Sequence, residues 1–191
     1  MTQKNCHAVV GLGATGLSVI QFLTQQGFPV VAMDTREDPP NAAEFRQKYP
    51  HIPLYTAQWP EEVLEGATIV VSPGVSILLP ALTRAKAKGA EIIGDIELFA
   101  RFNQIPVIAI TGSNGKSTVT SLVGEMARVA GKKVAVIGNI GTPVLNLFNE
   151  PHAHYDLVVM ELSSFQLETT YSLQPLVATV LNITPDHLDR Y

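Results

Sequence analysis

Cysteine is nearly missing: Cys6 is the only one in 191 residues. One thiol closes no intrachain disulfide and builds no thiolate metal cluster, so Cys6 reads as a small hydrophobe in an apolar run and the chain as a protein of a reducing compartment. Charge is sparse too. Charged residues make up 16% of the chain and the formal net charge is −4, which offers no basic field to a polyphosphate backbone. Nucleic acid is therefore not an expected partner, and any phosphate has to be attracted by a local site. The aromatic residues, 7% of the chain, form no stacking stripe for single-stranded bases. No apolar run approaches the roughly 18 residues of a membrane span. The opening MTQKNCHAVVGLG passes from polar residues straight into a strand, without the apolar core of a signal peptide. These absences predict a soluble cytoplasmic protein with no membrane insertion.

What is present is hydrophobic: 46% of the residues, enough for strands buried on both faces. Cys6–Gly11 is a short apolar run, Thr15–Gln26 has helical spacing through Leu17, Ile20 and Leu23, and Pro29–Met33 is apolar again, a βαβ unit. The alternation continues with strands at His51–Tyr55, Thr68–Val71 and Glu91–Ile93 and helices at Leu79–Lys88 and Asp95–Phe102. Asn103-Gln104-Ile105-Pro106 breaks it, and a domain boundary is expected there, between 1–103 and 104–191. The second part repeats the logic with strands at 107–111, 133–137, 156–161 and 176–182 and a helix at 116–130. The fold class expected is α/β: a Rossmann-like N-terminal domain followed by a truncated P-loop-type α/β ATP-binding domain.

Each part has a glycine-rich turn after its first strand. Gly11-Leu12-Gly13-Ala14-Thr15-Gly16 fits G-x-G-x-x-G, and Asp34 ends the next strand about 20 residues on. Such glycines let the backbone approach a diphosphate in front of a helix N-terminus. They specify diphosphate and ribose, not nicotinamide, and the neighbouring Arg36 favours a phosphate-rich ligand.

The second turn, Thr111-Gly112-Ser113-Asn114-Gly115-Lys116-Ser117-Thr118, lacks the first glycine of the usual phosphate loop: position 110 is isoleucine and Gly112 comes two residues late. Strand, glycines, lysine, hydroxyl and helix nevertheless stay in order. Lys116 is expected at the β/γ-phosphates and Ser117 at Mg²⁺. Magnesium needs further hard ligands, and Glu161 ends an apolar strand on the side of a parallel sheet where ligands collect. His187, beside Asp186 after the last strand, is a candidate metal ligand or phosphate contact.

T-G-x-N-G-K-S-T at 111–118, E-L-S-S-F-Q-L-E at 161–168 and N-I-T-x-D-H-L-D at 182–189 together resemble the ATP-dependent Mur ligases of bacterial peptidoglycan synthesis. G-L-G-x-T-G near the start, D-T-R at 34–36, S-P-G at 72–74 and G-D-I-E-L-F at 94–99 point to the branch that adds D-glutamate. The resemblance covers essentially the whole chain and explains the shortened loop as this family's ATP site. It implies a cytoplasmic bacterial monomer that binds UDP-N-acetylmuramoyl-L-alanine through Ala14, Thr15, Asp34, Thr35, Arg36 and Gly74, with Asn139, Ser163 and Gln166 at the muramoyl part. ATP and Mg²⁺ are the implied cofactors: Thr111, Gly112, Ser113, Asn114, Gly115, Lys116, Ser117 and Thr118 hold the nucleotide, Ser117 and Glu161 serve one magnesium, and His187 serves another. Lys116, Glu161 and His187 are the implied catalytic residues. Phosphorylating the alanyl carboxylate would create an acyl phosphate that the D-glutamate amine attacks.

The family's carbamylated lysine and its C-terminal domain have no counterpart in these 191 residues, so the expectation is an incomplete second domain and no turnover by this chain alone. Two rival readings remain at this stage. An NAD-dependent oxidoreductase fits the first turn and leaves the second without work. A nucleotide-switched assembly protein fits the second and leaves the first unexplained.

Overall fold

The computed structural model describes residues 6–149 and 154–188. The chain divides into two compact units, Met1–Leu98 and Phe99–Tyr191.

The first unit is built on five parallel strands, β1 (His7–Val10), β2 (Val30–Asp34), β3 (Leu54–Thr56), β4 (Thr68–Val71) and β5 (Glu91–Ile93), in the order β3-β2-β1-β4-β5. The short apolar runs become strands because both faces are covered. Ala8, Val10, Val31, Met33, Ile69, Val71 and Ile92 share one core with Leu64, Leu82 and Ala85. These last three come from helices α3 (Glu61–Leu64) and α4 (Pro80–Ala87). Val9, Ala32, Val70 and Ile93 alternate with them and are as deeply buried. Helix α1 (Ala14–Gln25) buries Val19, Ile20, Phe22 and Leu23, one stripe at helical spacing. Helix α2 (Ala42–Lys48) buries Ala42 and Phe45. Helix α5 (Asp95–Phe102) contains the division between the units.

The third strand starts later than its apolar run suggests. Pro53 accepts a hydrogen bond from Ala32 at 2.9 Å but has no N–H to give, so regular pairing begins at Leu54.

The second unit carries four parallel strands, β6 (Val107–Thr111), β7 (Val134–Gly138), β8 (Leu157–Glu161) and β9 (Val177–Val180), in the order β7-β8-β6-β9. Helix α6 (Lys116–Val129) covers one face, where Val119, Val123 and Ala127 pack on Ile110, Val134 and Val159. Val158, Val159 and Met160 of β8 are wholly buried, each such side chain contributing about 1.5–3 kcal/mol. A 3-10 helix (Val144–Asn149) buries Val144 and Leu145, and a single-turn helix α7 (Ser164–Leu167) follows β8. Strand β9 is exposed along its length. It ends two residues before the expected 182: the Leu181 N–H still donates to Thr111, the last residue of β6, at 2.9 Å, and the Asn182 carbonyl then accepts from Ser113 in the loop beyond at 3.1 Å.

Both units are thus parallel α/β layers, as expected. In such sheets ligands gather beyond the carboxyl ends of the strands, which is where both glycine-rich turns lie.

Candidate functional site

In the first turn three glycines do three different jobs. Gly11 has φ +102°, a left-handed value that a side chain disfavours. A β-carbon on Gly16 would lie 1.7 Å from the Gly11 carbonyl oxygen, so α1 packs against the turn only because position 16 is bare. Around Gly13 a β-carbon would meet nothing within 4 Å, so the space in front of the middle glycine is open. No side chain caps the N-terminus of α1. A helix end without a cap leaves backbone N–H groups directed outward, the arrangement that receives a diphosphate. Ser72, after the adjacent strand β4, donates to the Gly11 carbonyl at 3.3 Å and braces the turn.

Asp34 is turned inward, with 1% of its surface exposed. Its Oδ2 accepts from the Leu12 N–H at 2.8 Å and from Arg36 Nη2 at 2.8 Å. Its Oδ1 accepts from the Arg36 N–H at 3.0 Å and from Arg36 Nε at 2.8 Å. Burial alone would push the carboxyl up, but the hydrogen bonds from Arg36 and Leu12 and the guanidinium charge outweigh it and hold the pKa at about 2. Both oxygens are therefore committed to the protein. The carboxylate that would reach a ribose hydroxyl in a dinucleotide-binding fold instead fixes the glycine turn and the half-exposed Arg36.

In the second unit a cleft of about 630 Å³ opens at the carboxyl end of the sheet, a volume suited to a small-molecule ligand. It is lined by Thr111, Gly112, Ser113, Lys116, Asn139 and Ser163, together with Phe165, Asn182, Thr184, Asp186 and His187. Lys116 folds back over the loop, its Nζ donating to the carbonyls of Gly112 at 2.8 Å and Ser113 at 3.0 Å. Gly115, with φ +84°, starts α6 without a side-chain cap, so the N–H groups of the first helical turn, through Thr118, are left for an anion.

The loop is held from the other side by the segment after β9. Ser113 N–H donates to Asn182 O at 3.1 Å, and Thr184 N–H donates to Ser113 Oγ at 2.9 Å. The Asn182 carboxamide accepts from the Asn114 N–H and donates to the Asn114 carbonyl, both at 2.8 Å.

Glu161 ends β8 beside β6, paired in register with Ile110. It is 1% exposed. Its Oε1 accepts from Asn139 Nδ2 at 2.8 Å, while Oε2 is buried with no hydrogen-bond partner. A buried carboxylate oxygen without a donor is costly unless a cation completes it, so Glu161 fits a divalent ion. His187 lines the cleft described above, with its ring 4.6 Å from that of Phe165 and its Nε2 3.7 Å from Asp186 Oδ2. Among the described residues no three His, Cys, Asp or Glu side chains converge into a ready-made metal group.

The structure therefore gathers Thr111, Gly112, Ser113, Lys116, Asn139, Ser163 and His187 around one cleft and sets Glu161 next to Asn139. Ser117 opens α6. Gln166 is different. It is buried, and its Oε1 accepts from the Ser163 N–H at 3.1 Å while its own N–H donates to Ser163 Oγ at 3.2 Å, a capping box for α7. Ala14 and Thr15 open α1, and Gly74 lies beyond β4 in open space. The last residue of the 182–189 motif, Asp189, is outside the described residues. Sequence reasoning passed over the bracing roles of Ser72, Asn182 and Thr184. Only the S-x-x-Q spacing of 163–166 carries a signal for its own part. Among the described residues no helix is long and apolar enough to cross a membrane.

Each of the two parallel α/β units thus sets an uncapped helix behind a glycine turn, a geometry that fits a phosphate group. The Mur ligase MurD-like N-terminal domain matches residues 5–94 and the Mur ligase middle domain matches residues 110–191. The chain belongs to the Mur ligase family. It is 56% identical over 186 residues to UDP-N-acetylmuramoylalanine–D-glutamate ligase of Legionella pneumophila, covering 97% of this chain and 41% of that protein. It is 54% identical over 184 residues to the ligase of the same name in Pseudomonas syringae, covering 96% and 40%. It thus spans about two fifths of the length of the curated relatives it matches. Among solved structures, a Neisseria ligase for UDP-N-acetylmuramate and L-alanyl-gamma-D-glutamyl-meso-diaminopimelate aligns with a TM-score of 0.56 at 16% identity, over 98% of this chain and 63% of that one. The UDP-N-acetylmuramate-alanine ligase of Thermotoga maritima aligns with a TM-score of 0.51 at 22% identity, over 97% and 43%. These two likenesses show the fold.

Proposed function

We propose that this chain supplies the UDP-substrate unit, within 1–103, and the ATP unit, within 104–191, of a cytoplasmic ligase that joins D-glutamate to UDP-N-acetylmuramoyl-L-alanine. The observation that carries the reading is the presence of two cradles in one chain, the second with a lysine on its loop and a buried carboxylate oxygen lacking a partner. The identity to D-glutamate ligases over nearly the whole chain supports the choice of substrates.

The chemical problem is amide formation from a carboxylate, whose charge and resonance oppose a nucleophile. Transfer of a phosphoryl group from ATP to the alanyl carboxylate makes an acyl phosphate and turns one oxygen into a leaving group. The D-glutamate amine then displaces it. In the second unit Lys116 and the N–H groups opening α6 are set to meet charge on the phosphates, the electrostatic contribution that dominates phosphoryl transfer. Ser117 and Glu161 would hold one Mg²⁺ and His187 another, and such ions neutralise phosphate charge when bound. Asn139 and Ser163 line the cleft, where they would orient the acid to be activated. In the first unit Ala14, Thr15 and the open space at Gly13 would take the diphosphate, and Thr35, Arg36 and Gly74 the uridine side. Asp34 would act through Leu12 and Arg36, because its own oxygens are already bonded.

The oxidoreductase alternative requires Asp34 to be available to a ribose, and the Leu12 and Arg36 hydrogen bonds argue against it. The assembly-protein alternative leaves the first cradle without a ligand. Calorimetric titration of the chain with UDP-N-acetylmuramoyl-L-alanine, its sister substrates and NADH tests the proposal. Binding of the alanyl substrate is expected; tight NADH binding with no response to the UDP-muramoyl compound would overturn it.

A further inference from the structure

Asn139 and Glu161 are joined twice across neighbouring strands. Gly138, the last residue of β7, pairs with Glu161, the last of β8. Just beyond, the Asn139 N–H donates to the Glu161 carbonyl at 2.9 Å, and Asn139 Nδ2 donates to Glu161 Oε1 at 2.8 Å. This closeness depends on Gly138. A β-carbon there would lie 2.2 Å from the Glu161 carbonyl oxygen.

The effect is to divide the carboxylate. Oε1 is filled by an amide donor and Oε2 is buried with no partner. A carboxylate free to rotate about its last bond would present either oxygen, or neither, to an ion. One held at a single oxygen presents the other in a fixed direction. The amide group is a neutral donor, so it holds that oxygen without bringing a competing charge to the site. We infer that Asn139 is a positioning residue for Glu161, holding one carboxylate oxygen in place so that the other faces a divalent cation; this rests on the cation reading proposed above. Partners of this kind, one bond removed from a metal, set the orientation and basicity of the ligand.

The inference differs from a role for Asn139 in contacting the muramoyl substrate alone, and the two are separable. Mn²⁺ affinity is measured by electron paramagnetic resonance on the 191-residue chain in the presence of the non-hydrolysable ATP analogue AMP-PNP. Asn139→Ala is expected to weaken Mn²⁺ binding by about tenfold to 100-fold, with metal-free AMP-PNP affinity within about twofold of the parent chain. A pure substrate contact would leave both unchanged, and unchanged Mn²⁺ affinity would overturn the inference while leaving the cation site standing. A parent chain that binds no Mn²⁺ with AMP-PNP present would overturn the cation reading itself, and the inference with it. Should Asn139→Ala not fold, side-chain amide NMR of the parent chain decides: the Asn139 Nδ2 protons are expected to stay hydrogen-bonded and protected from exchange when Mg²⁺ and AMP-PNP are added. Release of those protons on adding Mg²⁺ would refute the inference.

Discussion

The side chain of Asn182 pairs with both polar groups of the Asn114 backbone, accepting from its N–H and donating to its carbonyl at 2.8 Å each. The shortened loop is thus held from a second segment of chain. With Thr184 bonded to Ser113, residues after β9 brace a loop that is two positions shorter than the usual phosphate loop.

Asn182→Ala is therefore expected to loosen the loop more than the fold. Two hydrogen bonds, each contributing about 0.5–1.5 kcal/mol, would be lost at a partly solvated place. The expected result is a fivefold to tenfold weaker ATP affinity by calorimetry, with a melting temperature close to that of the parent chain. Equal ATP affinity would show that the loop needs no outside brace.

Lys116 makes a sharper case. Its ammonium bonds two loop carbonyls, contacts it would exchange for phosphate oxygens. Lys116→Ala should lower affinity for ATP more than tenfold and lower adenosine affinity far less, because the missing charge faces phosphates. A comparable loss for both ligands would place Lys116 elsewhere in the mechanism.

Gly13 and Gly16 are expected to part company. Gly16→Ala places a β-carbon 1.7 Å from a backbone oxygen, so the first unit should lose several kcal/mol and melt early. Gly13→Ala meets nothing within 4 Å and should melt like the parent chain while binding the UDP substrate poorly. Calorimetry and thermal melting on both variants test this, and normal substrate binding by Gly13→Ala would refute the proposed diphosphate position.

Asp34 predicts a pH dependence. Its folded-state pKa, about 2, lies below the ordinary 3.8 of an aspartate in the unfolded chain, so the unfolded chain takes up the proton first as pH falls. The stability that Asp34 contributes is fully present above about pH 4 and is lost as pH drops toward about 2. Asp34→Asn should flatten that part of the acid-unfolding curve of the first unit. An unchanged curve would mean that the Leu12 and Arg36 hydrogen bonds do not persist in solution.

Much of the architecture was legible because buried parallel strands write themselves as continuous apolar runs and α1 and α6 carry a clear helical stripe. The short helices α2, α3 and α7 were not, since one or two turns leave too little periodicity to read. At the site, Gly11 to Gly16 and Thr111 to Thr118 were readable as contiguous motifs whose chemistry is local. The Asn139–Glu161 and Asn114–Asn182 pairs span 22 and 68 residues of chain, and nothing in the neighbours of either residue announces its partner.

The sequence by itself determined two alternating strand–helix units, the places where the backbone turns on glycine, and the lysine and carboxylate available for phosphate and cation. Those depend on residue type and spacing over a few positions. Tertiary structure alone decided that Asp34 spends its charge on Leu12 and Arg36, that Glu161 keeps one oxygen unpartnered, and that a distant asparagine braces the loop after β6. Strand order brings these groups together: β8 lies between β7 and β6, and β9 lies on the other side of β6, a sequence of neighbours fixed by how the layers pack and not by any single stretch of chain.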